Sequence, residues 1–209
     1  MSDTYDYNYK IILLGDGSVG KSSIIQRYVY DKFSIHTTPT IGVANTTKVT
    51  TVDNQKILLN IWDTAGQEKF RSMLNSSFRG CRAAIMVYDI TNELTFKNLD
   101  YWLEQVKEIG GDNVKFLLIG NKADLESSRR VSQKAGMDMA RNHNMLFMET
   151  SCVSNYNIER AFQEIAESLY RTQTGYMGNR EDERSTGLNG ISILSHHSQV
   201  SKPQSRCCK

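Results

Sequence analysis

Four short runs, apolar almost without interruption, limit most strongly what this chain can fold into: Lys10 to Gly15 (KIILLG), Ala83 to Asp89 (AAIMVYD), Val114 to Gly120 (VKFLLIG) and Met145 to Glu149 (MLFME). A strand covered on one face alternates apolar and polar residues, whereas a strand covered on both faces reads as continuous. The four runs are therefore predicted to be parallel strands inside a sheet. The segments between them carry helical spacing, with Phe96, Leu99, Leu103 and Val106 on one face and Ile158, Phe162, Ile165 and Leu169 on another. Strands alternating with amphipathic helices define the α/β class, with helices on both faces of the sheet. One stretch departs from this order. Val43 to Val52 is polar and Thr-rich, Asp53-Asn54 offers a turn, and Ile57 to Trp62 is apolar again, which reads as an antiparallel edge hairpin. The expected sheet is six-stranded and mostly parallel, with one antiparallel edge strand.

The periodic pattern stops near Thr172, where Ser, Gly, Asn, Thr and Gln take over. Residues 1–171 are thus expected to form one domain and residues 172–209 a flexible tail. With 209 residues the chain can bury one good core but not two. Lys and Arg total 25 against 23 Asp and Glu, a net charge of +2 with no basic block, so nothing in the charge points to nucleic acid. No apolar run approaches the roughly 18 residues of a membrane-spanning helix. The first ten residues, MSDTYDYNYK, lack the basic and then apolar regions of a signal peptide, and the chain is expected to be soluble and cytosolic. The four cysteines suggest no disulfide framework, because Cys81 and Cys152 lie far apart and Cys207 and Cys208 are adjacent. Free thiols are the expectation.

Chemistry enters at Gly15 to Ser22 (GDGSVGKS), which matches G-x-x-x-x-G-K-S/T directly after a predicted strand and at the opening of a predicted helix. A triphosphate presents oxygens in every direction. Gly15, Gly17 and Gly20 let the backbone approach closely, and the N–H groups of Ser18, Val19, Gly20 and Ser23 can aim inward at the helix N-terminus. Lys21 supplies a point charge for the β and γ phosphates, and the Ser22 hydroxyl can ligate Mg²⁺. The motif alone leaves the base open.

Two later segments select it. Asn121-Lys122-Ala123-Asp124 and Glu149-Thr150-Ser151-Cys152 each follow a predicted strand, at the carboxyl ends where ligands bind in open α/β sheets. The Asp124 carboxylate can accept from the N1–H and exocyclic amine of guanine; adenine offers a bare N1 acceptor there and would leave the charge unpaired. GTP and GDP are the expected ligands.

With these residues in place the chain resembles the Ras superfamily of small GTPases, and the Rab family most closely. The resemblance covers residues 8 to about 171 and the last three. Besides the strings above it rests on Thr40-Ile41-Gly42, Trp62 to Glu68 (WDTAGQE), Lys69 to Ser72 (KFRS) and Val87 to Thr91 (VYDIT). It implies that Phe33 lies against the guanine ring and that Thr40 ligates Mg²⁺ and touches the γ-phosphate. Asp63 would hold Mg²⁺ through water, Gly66 would give its N–H to the γ-phosphate, and Gln67 would orient the attacking water. Ser151 and Cys152 would complete the guanine site, with the Cys152 N–H reaching O6. The implied activity is GTP hydrolysis assisted by a GTPase-activating protein that supplies an arginine, since Arg71 and Arg79 read as a solvated helix face. An exchange factor would reload GTP, and effectors would read residues 33–45 and 65–79. Within the second segment Phe70, Met73, Leu74 and Phe78 either pack partly into the core or present apolar surface.

The ending Arg206-Cys207-Cys208-Lys209 is not a C-a-a-X box and is similar to the double-cysteine ending of Rab proteins, where both thiols carry geranylgeranyl groups. Two chains anchor stably where one is marginal. The resemblance therefore implies prenyl transferase machinery, a GDP-dissociation inhibitor, and a place on the cytosolic face of an intracellular membrane in vesicle traffic, with a soluble cytosolic pool and a monomeric G-domain. A GTP-binding module with little turnover and a non-Rab, Ras-type signalling GTPase stay open as alternatives. Departures from the family are local. Ala44-Asn45 stand where Asp-Phe is usual and Ser77 where an aromatic is usual, so two of the three members of an aromatic partner-binding surface with Trp62 are missing. Gly17-Ser18 inverts the usual order of small residues. Cys152-Val153 replaces Ala-Lys, removing a packing lysine and predicting a more loosely held nucleotide.

Overall fold

A computed structural model describes residues 4–35, 40, 42–65, 78–111 and 113–175. Six strands form one sheet: β1 (Tyr7–Leu14), β2 (Val43–Val52), β3 (Gln55–Thr64), β4 (Ala83–Asp89), β5 (Lys115–Asn121) and β6 (Leu146–Thr150), in the order β2-β3-β1-β4-β5-β6. β3, β1, β4, β5 and β6 are parallel, and β2 runs antiparallel to β3. The α/β class and the single antiparallel edge strand agree with the sequence. The hairpin is corrected in one respect: only β2 lies at the edge. β3 is inserted between β2 and β1, pairing Ile57 with Tyr7 and Asp63 with Leu13. Its turn residues Asp53 and Asn54 both have positive φ, 49° and 64°, as a two-residue loop between twisted antiparallel strands requires.

The central strands read as continuous because alternate residues feed two cores. Tyr9, Ile11 and Leu13 of β1 join Ile85 and Val87 of β4 beneath α1 (Lys21–Tyr30) and α5 (Ile158–Thr174). Ile12 and Leu14 join Ala84, Met86 and Tyr88 on the other face. That face is covered by α2 (Glu93–Lys97), α3 (Leu99–Gly110) and α4 (Gln133–Asn142). Burying each large side chain contributes about 1.5–3 kcal/mol, so two filled faces fix the sheet and leave its carboxyl edge as a platform. α3 buries Leu99, Leu103 and Val106 as its spacing predicts, and Trp102 besides. α5 buries Ile158, Phe162, Ile165 and Leu169, and the Phe162 ring stacks on Tyr28 of α1 at 3.9 Å between centroids.

α5 continues to Thr174, past Arg171, and stops at Gly175, whose φ of 65° ends a helix without strain. The tail from 176 to 209, with Cys207 and Cys208, lies outside the described residues. Cys81 and Cys152 are free, buried thiols. Among the described residues no helix is long and apolar enough to cross a membrane.

Candidate nucleotide site

Gly15 follows β1 at the point where the chain turns from sheet to helix, and Gly20 caps α1. Each adopts a positive φ, 136° and 99°. A Cβ at Gly15 would collide with the Val87 carbonyl oxygen, and one at Gly20 with the Asn121 amide. Close approach of the loop to β4 and β5 therefore requires glycine at both ends, independently of any phosphate. Ser18 also has a positive φ, 63°, a conformation that costs a residue with a side chain about 1–2 kcal/mol. The Gly20 cap offers no side-chain hydrogen bond and the first turn of α1 holds no acid, so among the described residues no side chain caps the helix N-terminus.

Lys21 is 5% exposed and curls back over the loop, donating to the carbonyls of Gly15 at 2.7 Å and Asp16 at 2.8 Å. Burial pulls its ammonium down to about 8, against the upward pull of Asp63 and Asp16. A buried cation whose hydrogen bonds among the described residues go to carbonyls is poised for an anion. The loop itself is fastened to α3: Asp16 accepts from Asn98 Nδ2 at 2.6 Å and from Trp102 Nε1 at 3.0 Å.

Three oxygens from three segments meet beside Lys21. Ser22 Oγ lies 2.8 Å from Thr40 Oγ1 and donates to Asp63 Oδ2 at 2.5 Å, and Thr40 Oγ1 donates to the same atom at 3.3 Å. Asp63 Oδ1 is buried and has no hydrogen-bond partner among the described residues. Burial pushes this carboxyl above its usual range, opposed by the Ser22 bond, Lys21 and the Thr40 bond. One carboxylate and two hydroxyls make a hard-oxygen set that fits Mg²⁺, with an orphaned oxygen that a cation would satisfy. Among the described residues no group of three or more His, Cys, Asp or Glu is placed to hold a metal ion. Ala65 N donates to Gly42 O at 2.9 Å, tying the segment before β2 to the end of β3.

A cavity of about 510 Å³ opens on the other side of the loop, bounded by Ser18, Gly20 and Ser23 on one wall and by Phe33, Asn121 and Lys122 on others. Asp124 and Cys152 close it, with Ile35, Leu125 and Val153 at the mouth. The size suits a nucleoside. Asn121, at the end of β5, donates to Val19 O at 2.8 Å and accepts from Thr150 Oγ1 at 3.1 Å and Cys152 Sγ at 3.8 Å. Asp124 Oδ1 accepts from Ser151 Oγ at 2.5 Å, which orients the carboxylate. Lys122 pairs with Asp89 Oδ2 at 2.6 Å.

The structure thus brings together, in one groove, the sequence-predicted residues Gly15 to Ser23, Phe33, Thr40, Asp63, Asn121, Lys122, Asp124, Ser151 and Cys152. Gly66, Gln67, Phe70, Arg71, Met73, Leu74 and Ser77 lie outside the described residues. Phe78 is core, at 1% exposure, and Arg79 is exposed. Trp62 faces Asn45 across the β2–β3 ladder, and the Lys10 ammonium stands 4.2 Å from its ring centroid. Three contributors carry no periodic signal and were not foreseen: Asp16, Arg27 and Asp89. Only Asp89 offered a clue, as a carboxylate ending an otherwise apolar strand.

Comparison with known sequences agrees with this geometry. The Ras family profile matches residues 10–171. A Ras-related protein YPTC6 of Chlamydomonas reinhardtii is 36% identical over 209 residues, 99% of this chain and 97% of its own length. The Ras-related proteins RABA1g and RABA1e of Arabidopsis thaliana are 38% and 40% identical, over 91% and 82% of this chain and 88% and 79% of theirs.

Proposed function

This chain belongs to the Ras family and is a Rab-like small GTPase that binds guanine nucleotide and hydrolyses GTP, and we propose that it works as a Mg²⁺-dependent, membrane-anchored switch in vesicle traffic. The observation that carries the switch is the meeting of Ser22, Thr40 and Asp63. Thr40 belongs to the segment before β2, yet its hydroxyl sits in the oxygen cluster at the phosphate end of the groove. A γ-phosphate there engages that segment directly, and its loss disengages it.

In the proposed mechanism the glycine-bounded loop and the α1 N-terminus hold the phosphates, and Lys21 turns from the Gly15 and Asp16 carbonyls to the β and γ oxygens. Ser22, Thr40 and Asp63 would hold Mg²⁺, which would supply positive charge against the phosphates. Gln67 orients a water in line with the bond to be broken. The water oxygen bonds to the γ phosphorus as the bond to the β–γ bridging oxygen breaks, and GDP leaves with that oxygen and its electrons. Asp124, oriented by Ser151, selects guanine. Ras-family regulators and effectors act on such a chain; here an exchange factor, a GTPase-activating protein and a GDP-dissociation inhibitor are proposed, with effectors reading residues 33–45 and 65–79. Residues 1–171 are proposed as a monomeric G-domain and 172–209 as the tether, with geranylgeranyl groups on Cys207 and Cys208 holding it to the cytosolic face of a membrane.

The test begins with the nucleotide released on denaturing freshly purified protein. GDP is expected, and adenine nucleotide would overturn the role of Asp124. Single-turnover hydrolysis then compares wild type with Gln67→Leu. A slowing of at least about tenfold is expected from loss of a water-positioning group; an unchanged rate would remove Gln67 from the mechanism.

A further inference from the structure

Cys152 and Val153 line the cavity, and beside the Cys152 Sγ bond to Asn121 their backbone is held by a side chain far away in the sequence. Arg27, six residues beyond Lys21 on α1, donates from Nε to the Cys152 carbonyl at 3.0 Å and from Nη2 to the Val153 carbonyl at 3.5 Å. Its Nη1 donates to the backbone carbonyl and the carboxylate of Asp31, both at 3.2 Å. The guanidinium carbon stands 5.8 Å from the centroid of the Phe33 ring, within cation–π range. The Arg27 side chain is 16% exposed and its bond to the Cys152 carbonyl is partly buried, whereas its bonds to Asp31 and to the Val153 carbonyl lie in water-exposed surface. One planar fork thus joins the end of α1, the Asp31–Phe33 turn and the Cys152 loop, an arrangement an ammonium at this position would not reproduce.

We propose that Arg27 is a positioning residue of the guanine site: by holding the Cys152 and Val153 carbonyls it fixes the backbone that follows the Cys152 N–H, and so fixes where that N–H meets guanine O6, while the peptide plane of the N–H itself is set by Tyr156 N–H on the Ser151 carbonyl. The inference rests on the guanine reading of the cavity and deepens it. It also accounts for Val153. The chain lacks a lysine there to pack the loop from outside, and Arg27 fixes the same two residues from within. The far end of the loop is closed separately, by the paired hydrogen bonds between Ser151 and Tyr156. Only the Cys152–Val153 stretch depends on Arg27.

The experiment measures dissociation of GDP and of 6-thioguanosine diphosphate, which keeps the N1–H and exocyclic amine but offers sulfur, a poorer acceptor, in place of O6, from wild type, Arg27→Ala and Arg27→Lys. Wild type is expected to hold GDP the longer. Arg27→Ala should release GDP about tenfold faster while changing release of the sulfur-bearing nucleotide by less than about twofold, and Arg27→Lys should fall between. Loosened stacking on Phe33 or a general loss of stability would speed both nucleotides together, so the ratio reads the loop alone. If wild type holds the two alike, the guanine reading of the Cys152 contact falls and the proposal with it. If wild type discriminates and Arg27→Ala speeds both equally or neither, the reading stands and the proposal is overturned.

Discussion

The base end and the phosphate end of the groove are held together by different kinds of bond. At the base end the described contacts join protein groups to one another: Asn121 bridges β5, the phosphate loop and Thr150, Ser151 orients Asp124, and Asn157 Nδ2 donates to Glu149 O at 2.9 Å beneath the loop. At the phosphate end Ser22, Thr40 and Asp63 bond to one another through oxygens that a cation would claim, and one buried carboxylate oxygen has no partner among the described residues. Base recognition is thus built into the scaffold, whereas the phosphate end is completed by what binds there. A switch needs that division, because it must keep its nucleotide while changing its response to one phosphate.

The sharpest way to break this division is Asp124→Asn. An amide in place of the carboxylate keeps the shape but presents a donor to the guanine amine, leaving buried polar groups mismatched. A loss of GDP affinity of about a thousandfold is expected, with xanthosine diphosphate, whose O2 accepts that donor, recovering most of it. Titration of both nucleotides measures this. Equal binding of the two by wild type would mean that Asp124 does not read the base.

Rigidity of the base end predicts the behaviour of Cys152. Burial raises its thiol to about 11 from an ordinary 9, outweighing the Asn121 bond and Arg27. Two units leave a thiolate fraction about a hundredfold lower, so alkylation at pH 8 with GDP bound should be slower than that of a free thiol by at least that factor, as mass spectrometry of the labelled peptide would show. The sign for stability follows. The folded state keeps the proton longer than the unfolded, so this contribution is present below about pH 9 and is lost as pH rises through about 11. Alkylation at the rate of a free thiol would show the loop opening, and the contrast between the two ends would fail.

Thr40→Ala addresses the phosphate end. Removing one hydroxyl from the oxygen cluster should weaken GTP by about tenfold, the value of one charge-assisted hydrogen bond or ligand, and GDP by much less. Competition between the two nucleotides gives the ratio directly. A loss shared equally would place Thr40 with the base end instead.

How much of this was legible in sequence follows from the range of each contact. β4 shows in the sequence residue for residue because its seven residues are buried on both faces. The interior place of β3 does not show, because Ile57, Leu59 and Ile61 are buried while Leu58, Asn60 and Trp62 are only half-buried, and the apolar run tells which residues pack but not that β1 pairs along its other side. Gly15 and Gly20 stand out as motif residues, but their need to clear Val87 and Asn121 emerges only when the strands are assembled. Arg27 reaches Cys152 across 125 positions and Asp16 reaches Trp102 across 86. Single long-range bonds leave no periodic trace.

Asp89 gives the smallest expected effect and a fine test of the same contrast. Burial pushes its carboxyl upward, but hydrogen bonds from Lys122 and from the Thr91 side chain and backbone outweigh this and hold it below the usual carboxylate value of 3.8. The pair with Lys122 is two-thirds shielded on the lysine side and nearly buried on the acid side, so it is stronger than a surface ion pair. Asp89→Asn should free the Lys122 stem where it borders the cavity and speed GDP release by about threefold, with GTP release speeded by the same factor. That equality is the informative part, since a base-end residue cannot distinguish nucleotides that differ only in the γ-phosphate. The sign of its pH dependence is fixed as well. A depressed acid contributes above its ordinary value and loses that contribution only as pH falls through the lower folded one, so release from wild type should owe no slope to Asp89 between about pH 5 and 7. A GTP-selective effect of Asp89→Asn in dissociation kinetics would instead connect Lys122 to the phosphate end, through the Asn121–Val19 bond that links the two halves.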